Sequence, residues 1–185
     1  LVNVLRNLLI NYLNDEPISI EIAQKNPILN SSWNKELFSI NGEHYFLIEL
    51  LCKELKPKSV IEIGTYYGAA AAVCLSNENI EKYYSFDLVK WESISNSYLL
   101  NISRKIIKRK FTQFLDNLFL DSNFVKYKDI FINCDLIIID GPKDNKFEKK
   151  IIYYLLNIKP TKPIYVLMDD IYLSTMVDLW NEIPF

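Results

Sequence analysis

The chain has 185 residues, half of them apolar and 14% aromatic, enough to bury one sizeable core. Twenty-one Lys and Arg face 23 Asp and Glu for a net charge of -2, so no whole-molecule field gathers DNA, RNA or an anionic membrane. Cys52, Cys74 and Cys134 are odd in number and lack CxxC spacing, which argues against a disulfide framework or a zinc site and for a reducing, cytoplasmic setting.

In chain order, positions 1, 5, 8, 9, 12 and 13 repeat every 3.6 residues and predict an amphipathic helix over 1–14. It is broken by Arg6 and asparagines, unlike a signal sequence, and no apolar run reaches the roughly 18 residues of a membrane span. A short helix over 17–25 and a loop follow, so residues 1–41 read as a helical cap on a single domain whose core is 42–185. A strong helix over 42–55 is closed by Pro57. His44, the only histidine, falls in it and reads as structural.

From residue 58 the pattern changes to short β-rich runs separated by helical sequence. Candidate strands are SVIEI (59–63), KYYSFD (82–87), RKFTQF (109–114), DLIII (135–139) and PIYVLM (163–168). Their continuous apolarity fits a parallel sheet buried on both faces, so the expected fold is α/β, a Rossmann-like three-layer sandwich of about five strands. In such sheets ligands bind beyond the carboxyl ends of the strands, where strand order reverses.

Four of the five strand ends carry an acidic residue. Gly64 and Gly68 follow the first strand, and a turn free of side chains there lets a ligand lie against backbone at the start of a helix. Asp87, 23 residues past Gly64, stands where a carboxylate can accept both hydroxyls of a ribose. The nicotinamide fingerprint G-x-G-x-x-G is not met, because Thr65 and Tyr66 occupy the place of its middle glycine.

The pattern actually present, Glu62-x-Gly64-x-x-x-Gly68, resembles the first motif of class I S-adenosylmethionine-dependent methyltransferases. From about 42 to 180 the chain resembles the small metal-dependent O-methyltransferases related to catechol O-methyltransferase, with Asp87 after the second strand, Asp140-Gly-Pro-Lys143-Asp144 after the fourth and Asp169-Asp170 after the fifth. The resemblance implies strand order 3-2-1-4-5 and S-adenosylmethionine as cofactor. Glu62, Gly64, Tyr66 and Gly68 would line its methionine end, Asp87 its ribose, and Asp140 would also border it. Asp140, Asp169 and Asp170 would hold Mg²⁺, with Lys143 as base and Asp140 beside it. Hard carboxylate oxygens suit Mg²⁺, which lowers the pKa of a bound hydroxyl, and a partly desolvated lysine can accept the proton. Asp170 stands where the family has Asn, and a third carboxylate over-neutralises a divalent ion.

The acceptor implied is a small molecule, methylated on oxygen, with no nucleic acid and no membrane as partner. A metal-independent transferase of sugars or secondary metabolites, or a non-catalytic S-adenosylmethionine-binding or scaffold protein, stays open beside it. Asp169 and Asp170 could instead cap the helix near 172, Lys143 and Asp144 could form an exposed turn, and the basic run RKIIKRK (104–110) reads first as a solvated face rather than a phosphate site. The methyltransferase fold adds two strands after the helix at 172–182, whereas this sequence stops at Phe185. A fragment lacking strands 6 and 7, or a fifth strand covered by a second copy in a homodimer, is therefore expected, with a tendency to self-associate.

Overall fold

The structure, a computed structural model, describes residues 43–183. The helices expected at 1–14 and 17–25, the cap they would form, and the side chain of His44 lie outside the described residues. The chain divides into two compact units, 1–47 and 48–185, and the entire sheet lies in the second.

Helix α1 (Glu43–Leu55) ends at Lys56, whose positive φ of 47° and following Pro57 stop the repeat. Then β1 (Ser59–Ile63), α2 (Ala69–Leu75), β2 (Lys82–Phe86), two 3₁₀ turns (Trp91–Ser93 and Tyr98–Asn101), α3 (Arg104–Lys110), β3 (Phe111–Phe114), α4 (Asp121–Ile132), β4 (Leu136–Ile139), α5 (Lys146–Asn157), β5 (Tyr165–Met168) and α6 (Ser174–Glu182) follow. The five strands pair in parallel in the order β3-β2-β1-β4-β5. This is the expected Rossmann-like order, and among the described residues no strand follows β5. The third strand is shorter than its sequence suggests, because Arg109 and Lys110 complete α3.

The period-2 alternation of the strands sorts their side chains onto two faces. Ile61 and Ile63 of β1, Phe86 of β2, and Ile137 and Ile139 of β4 form one core with Phe124, Tyr127 and Phe131 of α4 and Ile151 and Ile152 of α5. Val60, Glu62, Tyr83 and Ser85 point to the opposite face, against which α2 packs. All seven residues of α2 are buried, and its four alanines let it lie close to the sheet. Beside it, Glu49 of α1 is buried and accepts from Asn77 Nδ2 at 2.7 Å. The chain winds outward from β1 through β2 to β3, then returns to place β4 on the other side of β1. That reversal leaves a crevice between the carboxyl ends of β1 and β4.

Candidate functional site

A pocket of about 550 Å³ opens over this crevice. Its walls come from the ends of four strands: Ile63 and Gly64 after β1, Phe86 to Val89 after β2, Asp116 to Phe119 after β3, and Asp140 to Pro142 with Asp144 and Phe147 after β4. The volume lies in the range of small-molecule sites, and the walls are mostly apolar with carboxylates at fixed points.

Of the residues singled out in the sequence, Gly64, Asp87 and Asp140 line this pocket, while Glu62, Tyr66, Gly68, Lys143, Asp169 and Asp170 stand outside its lining. Gly64 has φ +88°, and a Cβ there would lie 1.9 Å from the backbone oxygen of Asp140. The absent side chain is therefore demanded first by the chain itself, where the loop after β1 presses on the end of β4. Gly68, at φ +75°, is likewise confined by Leu99, whose Cγ would be 2.8 Å from an added Cβ.

Asp87 binds the glycine turn. Its Oδ2 accepts the backbone N–H of Thr65 at 2.7 Å and of Tyr66 at 2.8 Å, and its Oδ1 accepts that of Val89 at 2.8 Å. A carboxylate has about four acceptor positions, so one remains, on Oδ1, for a ligand. Tyr66, 63% exposed and at φ 42°, stacks edge-on against Tyr67. Glu62 is 1% exposed, its Oε2 has no hydrogen-bond partner, and burial pushes its carboxyl up to about 8, with the charges of Asp140 and Asp87 adding to the rise. At neutral pH it is a buried, protonated acid.

Beyond the Asp140 edge of the pocket lies a cluster of four charges. Lys143 Nζ is 2.7 Å from Asp140 Oδ1, 3.0 Å from Asp170 Oδ2 and 3.8 Å from Asp169 Oδ2. One oxygen from each carboxylate lies within 4.8 Å of the others. Burial raises the Asp140 carboxyl, assisted by the charges of Asp169 and Asp170 and opposed by Lys143. Burial pulls Lys143 down, but its hydrogen bonds to Asp140 and Asp170 and the carboxylate charges outweigh that, and the ammonium is held above the ordinary lysine value. Lys143 itself sits at φ 61°. The segment is held there by its own N–H, donated to Glu148 Oε1 at 2.9 Å, and by its carbonyl, which accepts from Thr175 Oγ1 at 2.7 Å.

The alternative readings of these residues resolve unevenly. Neither Asp169 nor Asp170 caps α6: the cap position is Leu173, without a side-chain bond. Asp144 does serve a helix start, accepting the N–H of Phe147 at 2.9 Å. Sequence reasoning missed the apolar walls, namely Leu88 and Val89 past β2 and Phe119 and Phe147 farther on. Their trace in the sequence is large apolar residues placed just after strand ends, and Leu88 is 68% exposed. It also missed Glu148, an acid at a buried helical position in register with Ile151 and Ile152.

Three carboxylates and a lysine beside a strand-end crevice form a polar, cation-compatible cluster. No protein-family model matches the sequence, and no curated protein matches it. Among solved structures, the O-methyltransferase from Bacillus cereus in complex with SAH matches with a TM-score of 0.56 at 17% identity, over 92% of this chain and 74% of that one. The O-methyltransferase TomG from Streptomyces achromogenes, involved in tomaymycin synthesis and in complex with SAM, matches with a TM-score of 0.56 at 14% identity, over 89% and 70%. The chain thus has the Rossmann-like fold found in S-adenosylmethionine-dependent O-methyltransferases, and at these identities the likeness is one of fold. Among the described residues no helix is long and apolar enough to cross a membrane.

Proposed function

We propose that the protein is an S-adenosylmethionine-dependent methyltransferase that methylates an oxygen of a small molecule. The observation that supports it best is the pocket at the β1/β4 switch point, bounded by Gly64, Asp87 and Asp140, with the Asp140–Lys143–Asp169–Asp170 cluster against one edge. The same fold in structures described with SAH and with SAM supports the choice of cofactor.

The chemistry asks little of the protein beyond alignment. S-adenosylmethionine, when bound, would supply a methyl group to an acceptor oxygen, and this chain's residues would have to align the two and take up the acceptor's proton. The apolar walls would hold the adenosine end, the free position on Asp87 Oδ1 would accept one ribose hydroxyl, and Glu62, Tyr66 and Gly68 would stand behind the methionine end. The acceptor approaches over the charged cluster. In the arrangement described, Lys143 is an ammonium that neutralises the carboxylates, and Asp140, whose pKa is raised and which lies 2.7 Å from Lys143, is the group able to take the proton. Lys143 serves as base only after giving its own proton up.

The donor set fits a hard divalent cation: three carboxylates converge, and with all of them ionised, one lysine and one divalent ion bring the cluster to neutrality. Mg²⁺ held by Asp140, Asp169 and Asp170 would supply Lewis acidity toward the acceptor hydroxyl. A metal-independent version is favoured by a different fact, that Lys143 already binds one oxygen each of Asp140 and Asp170. The test is calorimetric titration with S-adenosylhomocysteine, with and without Mg²⁺, and with NADH as control. Micromolar binding of S-adenosylhomocysteine and none of NADH is expected; the reverse preference would overturn the reading.

A further inference from the structure

A second cavity, of about 340 Å³, lies on the far side of the turn that follows β2. Leu88 and Val89 face the first pocket, whereas Lys90 and Trp91 line the second, together with Arg104, Ile107, Lys108 and Phe111. The wall is built rather than incidental. Gln113 accepts the backbone N–H of Trp91 at 3.0 Å through Oε1 and donates from Nε2 to the carbonyl of Val89 at 3.1 Å, pinning the turn to β3. Trp91 is 5% exposed and meets Phe111 edge-on, giving an apolar floor.

The rim is cationic. Lys90 is paired with Glu92, which also lines the cavity, at 2.8 Å. Arg104 and Lys108 are four apart on α3, hence on one face of it, and neither is ion-paired among the described residues. Two unpaired cations side by side suit a dianion, and a guanidinium fork matches phosphate oxygens in particular. An aromatic-floored cavity of this size is larger than an inorganic anion fills, so space remains for an organic body.

We propose that this cleft binds a small phosphomonoester, its phosphoryl group held by Arg104 and Lys108 and its organic part against Trp91 and Phe111. The site stands apart from the first pocket and does not depend on the methyltransferase reading. The test is titration of the ¹⁵N-labelled full chain with phenyl phosphate and, separately, inorganic phosphate, following the indole N–H of Trp91, assigned with a Trp91→Phe variant, and the side-chain amide of Gln113. The expected result is a saturable shift of both signals with phenyl phosphate, binding at least about tenfold tighter than inorganic phosphate, and at least about tenfold weaker in the Arg104→Gln/Lys108→Gln variant. Both substitutions are at exposed positions, and an unchanged melting temperature verifies the fold. Absence of a saturable shift, or equal affinity in the double variant, would overturn the site. Equal affinity for inorganic phosphate would overturn the ester and assign the cleft to the free ion. No S-adenosyl compound is present in these titrations, so the outcome is independent of the first pocket.

Discussion

The carbonyl oxygen of Asp140 lies where a Cβ on Gly64 would stand, at 1.9 Å. One residue directly follows β1 and the other directly follows β4, so this contact fixes the two strand ends where both residues line the pocket. Gly64→Ala must either push these strand ends apart or bend the turn, on top of the strain of a non-glycine residue at φ +88°. A loss of at least about 2 kcal/mol is expected in urea unfolding. A loss below about 0.5 kcal/mol would mean that the ends of β1 and β4 are not in this contact in solution.

Asp87 holds three backbone N–H groups before any ligand arrives. Asp87→Ala is therefore expected to destabilise the ligand-free protein by about 1.5 kcal/mol or more, seen as a lower melting temperature, as well as to weaken S-adenosylhomocysteine binding. If the residue acted on the ribose alone, the ligand-free melting temperature would not move. Thermal unfolding with and without S-adenosylhomocysteine separates the two contributions.

Glu62 links stability to pH. Unfolded, its carboxyl titrates near 4.5, and folded it holds its proton up to about 8. Between those values the unfolded chain binds fewer protons, so stability falls as pH rises, by on the order of 1.4 kcal/mol per pH unit, and the loss is complete above pH 8. Glu62→Gln removes this contribution. The difference in unfolding free energy between Glu62→Gln and the parent chain is expected to shift in favour of Gln from pH 5 to pH 8.5, and a constant difference would place Glu62 in a more solvated setting.

Lys143 already holds one oxygen each of Asp140 and Asp170, which a divalent cation in this cluster would have to displace it from or share. Lys143→Met removes that competitor and its positive charge, so Mn²⁺, read by electron paramagnetic resonance, is expected to bind at least about threefold more tightly. Asp170→Asn should move affinity the other way. Weaker Mn²⁺ binding in Lys143→Met would show that the lysine organises the carboxylates rather than competing for them.

Burial of Glu148 makes its contact with the Lys143 loop testable by a pair of variants. Glu148→Gln keeps an oxygen for the Lys143 N–H, whereas Glu148→Ala leaves that donor and a cavity behind. The alanine variant is expected to cost about 2 kcal/mol or more in urea unfolding, with the glutamine variant close to the parent. Equal losses in both would show that the bond to the Lys143 N–H is not what Glu148 contributes.

Much of this protein is written locally. Parallel strands buried on both faces must be continuously apolar, so SVIEI could be read as a strand, and it is Ser59–Ile63 in the structure. Helix α1, expected over 42–55, is Glu43–Leu55 because a period of 3.6 and Pro57 are properties of neighbouring residues. The acids at the strand ends were visible for the same reason. What only the tertiary structure decided are relations between distant residues. Gly64 is a glycine because of a carbonyl 76 positions later, Asp87, expected to face a ribose, spends two acceptor positions on the glycine turn and a third on Val89, and Lys143 is an ammonium among Asp140, Asp169 and Asp170. A sequence pattern states which residue types stand near each other along the chain. Steric exclusion, hydrogen-bond saturation and charge state depend on separations of a few ångströms, and those exist only once β1, β2, β4 and β5 lie side by side.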